Sequence, residues 1–222
     1  MSLRPLTLSA LAAGAMALAL AAAPASAQQP REKFTLALNW FAVGDHAAYW
    51  VALDKGYYAQ KGLDVSIEAA SKGSGDSIAK VDTGRADVGL ADAVPIISAT
   101  SRGARVKIVG MVFDKTPMTF FSRADAPLLK PADLEGKTVG APAGDSQRLA
   151  FPAFARINKI DPQKVTWVNI EPTAKVASIA EKRMDGVADY TTGQPFYDKA
   201  MGEGKAVRLA WADYGFTWAG AT

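Results

Sequence analysis

The chain is predicted to be an α/β protein of two like lobes, each a mostly parallel sheet flanked by helices. Two observations carry this. After Arg31, short β-rich runs alternate with helical patterns, the arrangement of a parallel sheet covered by helices. About a hundred positions on, the same landmarks return: Ser77-Ile78-Ala79 as Ser178-Ile179-Ala180, Ala86-Asp87 as Ala188-Asp189, Pro95 as Pro195, Gly103 as Gly204, and Val106-Lys107-Ile108 as Val207-Arg208-Leu209. The offsets stay between 100 and 102, a register that favours two lobes of one topology meeting across a cleft.

The elements follow in order. Phe34 to Trp40 reads as a buried strand, His46 to Lys55 as a helix opened by Gly44-Asp45 and closed by Gly56, and Leu63 to Ala69 as a second strand. Asp76 to Thr83 is a helix, Asp87 to Ala91 a short strand, Val94 to Ser101 a helix with Pro95 in its first turn, and Val106 to Phe113 a strand. The boundary is expected near Thr116-Pro117-Met118, with Thr119-Phe120-Phe121-Ser122 opening the second lobe and Thr138 to Ala141 forming one of its strands. The expected organisation is therefore a tag at 1–27, a first lobe at 28–117, a second at 118–212, and the start of a return crossing at 213–222. Hinges fall near Pro117 and near Asp213 to Gly215.

Residues 1–27 read as a cleaved signal peptide. Met1-Ser2-Leu3-Arg4 is a short basic start, Leu6 to Ala23 is almost wholly Ala, Leu, Gly and Met, and Ala25-Ser26-Ala27 is a small-x-small cleavage site before Gln28. A membrane anchor is the alternative, but the apolar run is Ala-rich and breaks at Pro24, at the low end of the ~20 residues a span needs. A periplasmic location follows. Of the 25 Lys and Arg, one is Arg4 in the tag, and the rest face 22 Asp and Glu. The cations are scattered, with no basic helix face, which argues against nucleic acid as a partner. The absence of cysteine excludes disulfides, thiolate metal sites, a cysteine nucleophile and a lipid-anchored N-terminus.

Asn39-Trp40-Phe41, His46 to Ala52, Lys55-Gly56-Tyr57-Tyr58, and Gly62 to Val65 together resemble the opening of the solute-binding proteins of ABC importers for thiamine pyrimidine precursors, nitrate, sulfonates and taurine. Gly84-Arg85-Ala86-Asp87-Val88-Gly89, the run Asp133 to Gly140, and Met184 to Asp189 extend the resemblance over 33–212. It implies the two-lobed periplasmic-binding-protein (type II) fold, an ABC permease in the inner membrane as partner, a monomer when complete, and a pocket residue at His46. Members of that family continue for about a hundred residues more. The C-terminal part is therefore expected to be missing beyond Gly220-Ala221-Thr222, leaving the first lobe unfinished with apolar surface bare.

In open α/β sheets ligands bind beyond the carboxyl ends of the strands, where loops enter helices. Four junctions qualify: Gly44-Asp45-His46, Gly73-Ser74-Gly75-Asp76, Ala91-Asp92, and Gly144-Asp145-Ser146, with Tyr190-Thr191-Thr192 a fifth. Any single Asp or Ser there is first of all a helix cap, worth ~1 kcal/mol. As a set, Asp45, Asp76, Asp92 and Asp145 would repel an anion, which favours a neutral or cationic solute rich in hydrogen-bond donors. Trp40 and Phe41 leave the first strand at the cleft, and Tyr49 lies on the following helix, so a flat ring could stack there. Trp50, Tyr57 and Tyr58 are assigned to core packing. The expected ligand-binding set is Trp40, Phe41, His46, Tyr49, Gly73, Ser74, Asp92, Gly144, Asp145, Ser146 and Tyr190.

No catalytic residue, metal site or cofactor is expected. There is no nucleophile elbow and no phosphate-loop lysine motif, and Gly73-x-Gly75-x-x-Ile78 lacks the third glycine of a dinucleotide fingerprint. The favoured solute is a thiamine pyrimidine precursor or similar heterocycle. A nitrate, sulfonate or taurine receptor is the alternative within the fold. Of other functional classes are a pyrimidine-precursor synthase, which in fungi shares the fold and an active-site histidine but carries a cysteine-rich segment, and a ligand-free sensor subunit.

Overall fold

The computed structural model of the chain describes residues 30–69 and 73–218. The tag and Gly220-Ala221-Thr222 lie outside them. The first sheet contains β1 (Glu32–Ala37), β2 (Leu63–Glu68) and β3 (Val88–Gly89) in the order β2-β1-β3, all parallel. Helices α1 (Ala47–Asp54), α2 (Tyr57–Gln60), α3 (Ser74–Asp82) and α4 (Ala93–Ser101) accompany it. The apolar run Leu36-Ala37-Leu38 is buried, and Leu36 and Leu38 cluster with Val65 and Leu90. β1 stops at Ala37, earlier than its apolar run predicts, so Trp40 and Phe41 fall in the loop beyond its carboxyl end.

The second sheet contains β4 (Met118–Arg123), β5 (Thr138–Ala141), β6 (Thr166–Asn169), β7 (Gly186–Tyr190) and β8 (Ala206–Ala210), in the order β6-β5-β7-β4-β8. Helices α5 (Ser146–Ile157), α6 (Lys175–Ala180) and α7 (Gln194–Met201) accompany it. β5 is parallel to β6 and β7, whereas β4 runs antiparallel to both β7 and β8. Met118 to Ser122 are buried without interruption, the pattern of a strand covered on both faces. Phe120, Phe151, Phe154 and Trp211 fill the core beside it, with Phe154 and Trp211 stacked at 4.4 Å.

The two sheets repeat one motif in space. β1, α3 and β3 stand as β5, α6 and β7 do, the order β2-β1-β3 matching β6-β5-β7. One device recurs at each site. Asp87, just before β3, donates its N–H to Thr35 O and accepts from Thr35 N–H at 2.7 Å. Asp185, just before β7, does the same with Thr138, accepting at 2.8 Å. The structural counterpart of Asp87 is therefore Asp185, not the Asp189 that the Ala-Asp echo pairs with it.

Two expectations are corrected. Val106 to Phe113 is not a strand. Its counterpart Val207-Arg208-Leu209 is one because β4 lies beside it, and β4 has no counterpart in the first sheet among the described residues. A β-rich run without a partner strand leaves its backbone groups unpaired and does not hold strand geometry. Ile108, Val109 and Met111 stay exposed, and the segment borders an apolar groove of about 430 Å³ lined also by Leu36, Val65, Ile78 and Val88. The second correction concerns Trp50 and Tyr57, which are 39% and 56% exposed rather than core. Tyr49 and Tyr58 pack inward instead, and on a helix the next residue is turned about 100° away.

Candidate functional site

The loops beyond β1, β2, β3, β5, β6 and β7 enclose a cavity of about 620 Å³ between the lobes, within the ~300–1,000 Å³ range of small-molecule pockets. From the first lobe, Trp40 and Phe41 meet edge to face with centroids 5.7 Å apart. Asp45 and His46 lie on the turn before α1, Ser74 opens α3, and Asp92 precedes α4. From the second lobe come Asp145 and Ser146 at the start of α5, Lys175 at the start of α6, Asp189 and Tyr190 at the end of β7, and Tyr197 on α7.

The lobes touch directly across this cavity. Ser74 Oγ lies 3.2 Å from Ser146 Oγ, Thr192 Oγ1 donates to Asp45 Oδ2 at 2.9 Å, and the Tyr190 hydroxyl donates to Asp92. Lys175 Nζ sits 5.2 Å from the centroid of Trp40. Gly73, at φ 76°, comes so close to the opposite lobe that a Cβ would stand 2.9 Å from Gly144 O. Only glycine suits both the left-handed backbone and that approach.

Asp92 is 4% exposed and makes no cap hydrogen bond despite its N-cap position. Its carboxylate instead accepts from Ser74 at 3.1 Å and from Tyr190. Burial pushes its pKa above the usual carboxylate value, and the hydroxyls of Ser146, Tyr190 and Ser74 only partly oppose this. Burial and the facing Asp92 likewise raise the Tyr190 hydroxyl far above its ordinary value, keeping it a donor. Asp145 does act as a cap, accepting from Gln147 N–H at 2.9 Å. It also pairs with Lys175 at 3.3 Å, with Asp189 at 3.8 Å on the other side. Burial alone would lower the Lys175 pKa, but Asp145 and Asp189 together hold it above its ordinary value.

Every residue of the sequence-derived set lines the cavity except Gly144, which stands behind Gly73. His46 lines it with both ring nitrogens engaged in its own lobe: Nδ1 accepts from Val43 N–H and Nε2 lies 3.1 Å from Asn39 Oδ1. Burial lowers its pKa, so the ring is neutral near pH 7. Tyr49 contributes to the wall while packed in the first core. Asp76 is a correction. It lies off the cavity, 3.5 Å from Lys80 across one helical turn, because the first turn of α3 presents Ser74 and not Asp76 to the cleft. Asp189 supplies the fourth carboxylate instead. It closes the Met184 to Asp189 motif and the Ala188-Asp189 echo, its two signals in the sequence, and Tyr197 donates to it at 2.8 Å. Lys175 had no signal in the sequence. Among the described residues no cluster of three or more His, Asp or Glu is placed to hold a metal ion, and no helix is long and apolar enough to cross a membrane.

Riboflavin-binding protein RibY of Chloroflexus aurantiacus is 28% identical over 190 residues, 84% of this chain and 54% of its own. A formylaminopyrimidine-binding protein of Halalkalibacterium halodurans is 30% identical over 118 residues, 53% of this chain and 36% of its own. A 4-amino-5-hydroxymethyl-2-methylpyrimidine phosphate synthase of Candida albicans is 35% identical over 83 residues, 37% of this chain and 24% of its own. The chain thus spans about half the length of RibY and less of the other two. Among solved structures, the alkanesulfonate-binding protein SsuA of Xanthomonas axonopodis pv. citri, bound to MOPS, superposes with a TM-score of 0.65 at 19% identity. That match covers 85% of this chain and 64% of SsuA and shows the fold alone. Residues 43–219 match the family described as NMT1/THI5 like, so the chain belongs to the NMT1/THI5-like family and has the two-lobed α/β fold of periplasmic binding proteins.

Proposed function

We propose that the chain is the solute-binding component of an ABC-type importer, exported to the periplasm on residues 1–27, whose cleft takes a planar, neutral or cationic nitrogen heterocycle such as a thiamine pyrimidine precursor. In this reading 28–117 and 118–212 are the lobes, they close about Pro117 and 213–215, and the partner is a membrane permease. The observation that carries it is the charge of the cavity. Asp45, Asp92, Asp145 and Asp189 face a single ammonium, Lys175, beside the Trp40 ring. An anion would have to enter a low-dielectric space already rich in carboxylate, whereas ring N–H and amino groups find acceptors and a flat ring finds an aromatic face. Two of the relatives are named for riboflavin and formylaminopyrimidine, both planar nitrogen heterocycles.

The sulfonate reading shares the fold through SsuA, but the same four carboxylates oppose it. The synthase reading meets a different obstacle. The one histidine, His46, has both ring nitrogens hydrogen-bonded inside its own lobe and none free to move a proton. Binding is therefore the activity the geometry favours. Calorimetric titration tests it: a heterocycle such as riboflavin or 4-amino-5-hydroxymethyl-2-methylpyrimidine should bind at least about tenfold more tightly than taurine or an alkanesulfonate, a gap of ~1.4 kcal/mol. Tryptophan emission should respond to the heterocycle in the wild type and not in Trp40→Ala. Tight sulfonate binding would overturn the assignment.

A further inference from the structure

Lys175 is the one residue of the cavity whose placement is costly and whose capacity is unspent. Its side chain is 8% exposed, yet it is an ammonium with three N–H donors. One is used on Asp145 at 3.3 Å. Asp189 at 3.8 Å is beyond hydrogen-bond reach and contributes only its charge. The remaining direction recorded for the ammonium is the face of Trp40, 5.2 Å away, on the opposite wall of the same cavity. Its charge is fixed, because Asp145 and Asp189 hold it in the protonated form. With one hydrogen bond to the protein and the cavity beside it, the ammonium can donate to an oxygen that a ligand brings.

The carboxylates of the cleft face the opposite way in hydrogen-bond terms. Asp45, Asp92 and Asp189 are acceptors. A ligand that satisfied both sides would carry N–H donors on one edge and an oxygen acceptor on another, within the plane that stacks on Trp40. We propose that Lys175 is the specificity-determining donor of the cleft, reading a carbonyl oxygen, so that the preferred ligand is a planar cyclic amide or other carbonyl-bearing heterocycle and not a simple aminopyrimidine. This rests on the heterocycle reading of the cleft and narrows it. Lys175 is a binding residue here, with no proton transfer.

The test compares 1-methylcytosine and 4-amino-2-methylpyrimidine, which share a six-membered ring and its 4-amino group and bear an oxo and a methyl group respectively at carbon 2, 1-methylcytosine also carrying a methyl on N1, with riboflavin as a larger carbonyl-bearing probe. Affinities are measured for the wild type, Lys175→Met and Lys175→Arg. The wild type should prefer 1-methylcytosine by at least about tenfold, the scale of one hydrogen bond to a charged group. Lys175→Met should weaken 1-methylcytosine and riboflavin by a similar factor and 4-amino-2-methylpyrimidine by clearly less. Lys175→Arg, which keeps the charge between Asp145 and Asp189, should retain the preference and guards against misreading a folding defect. Equal binding of the matched pair by the wild type, or an equal loss of all probes in Lys175→Met with a folded Lys175→Arg that shows no preference, overturns the role of Lys175 while leaving the heterocycle reading standing. If none of the three probes binds the wild type, both fall together.

Discussion

The two sheets share a plan, but the second has two strands more, and one of them, β4, holds the other in place. In the second sheet β4 lies between β7 and β8, is buried from Met118 to Ser122, and is the one strand paired with β8 among the described residues. In the first sheet, nothing among the described residues stands where β4 would be. The run 106–113, whose sequence echoes β8, is left irregular over an open apolar groove. A strand is thus a property of a pair of segments, and one central strand separates a sealed aromatic core from a half-open aliphatic one.

The largest expected effect is on stability. Phe120→Ala, which empties the centre of the second core among Phe151, Phe154 and Trp211, should cost about 3–5 kcal/mol in urea denaturation. Leu36→Ala in the first core should cost about 2 kcal/mol, at the low end for such a truncation, because its surroundings already open onto the groove. Equal costs would show that the missing strand does not loosen the first lobe.

A smaller effect is expected where the lobes meet. Gly73→Ala forces a Cβ to within 2.9 Å of Gly144 O at φ 76°, a strain of about 1–3 kcal/mol on the turn and on the contact between the lobes. Ligand affinity should drop about tenfold, and the denaturation midpoint should fall too, because the positive φ is strained in the folded chain with or without a ligand. A variant that binds normally would mean that the close approach of Gly73 to Gly144 is not part of the binding form.

The smallest effect distinguishes two cap-position aspartates. Asp145 has a lysine partner, whereas Asp92 has only hydroxyls and sits above the usual carboxylate pKa through burial. A carboxyl whose pKa is raised in the folded chain takes up a proton more readily there than when unfolded. Its ionisation therefore opposes folding at neutral pH, and that cost fades as pH falls through the raised pKa towards the ordinary value. Between neutral and mildly acid pH the wild type should gain stability from this group, and Asp92→Asn should remove that gain from the pH profile of urea midpoints. An unchanged profile would mean that the Asp92 carboxyl titrates normally.

Much of this was legible beforehand because it is local. Alternating strand and helix patterns placed β1, β2, α3, α4 and β5 to within a few residues, and the polar junctions together with the aromatics at the end of β1 put ten of eleven expected site residues around one cavity. Capping, turn chemistry and the position of a loop at a strand's end are written in neighbouring residues. Tertiary structure alone decided the rest. Whether 106–113 becomes a strand depends on a partner elsewhere in the chain. Whether Asp76 or Asp189 faces the cleft depends on how a helix is rolled against its sheet. Lys175, an ordinary lysine after Pro172-Thr173-Ala174, becomes a buried cation only because Asp145, Asp189 and Trp40 arrive around it from three other segments. A sequence pattern reports periodicity and turns, whereas the partner of a charge or a strand is set by contacts distant in the chain.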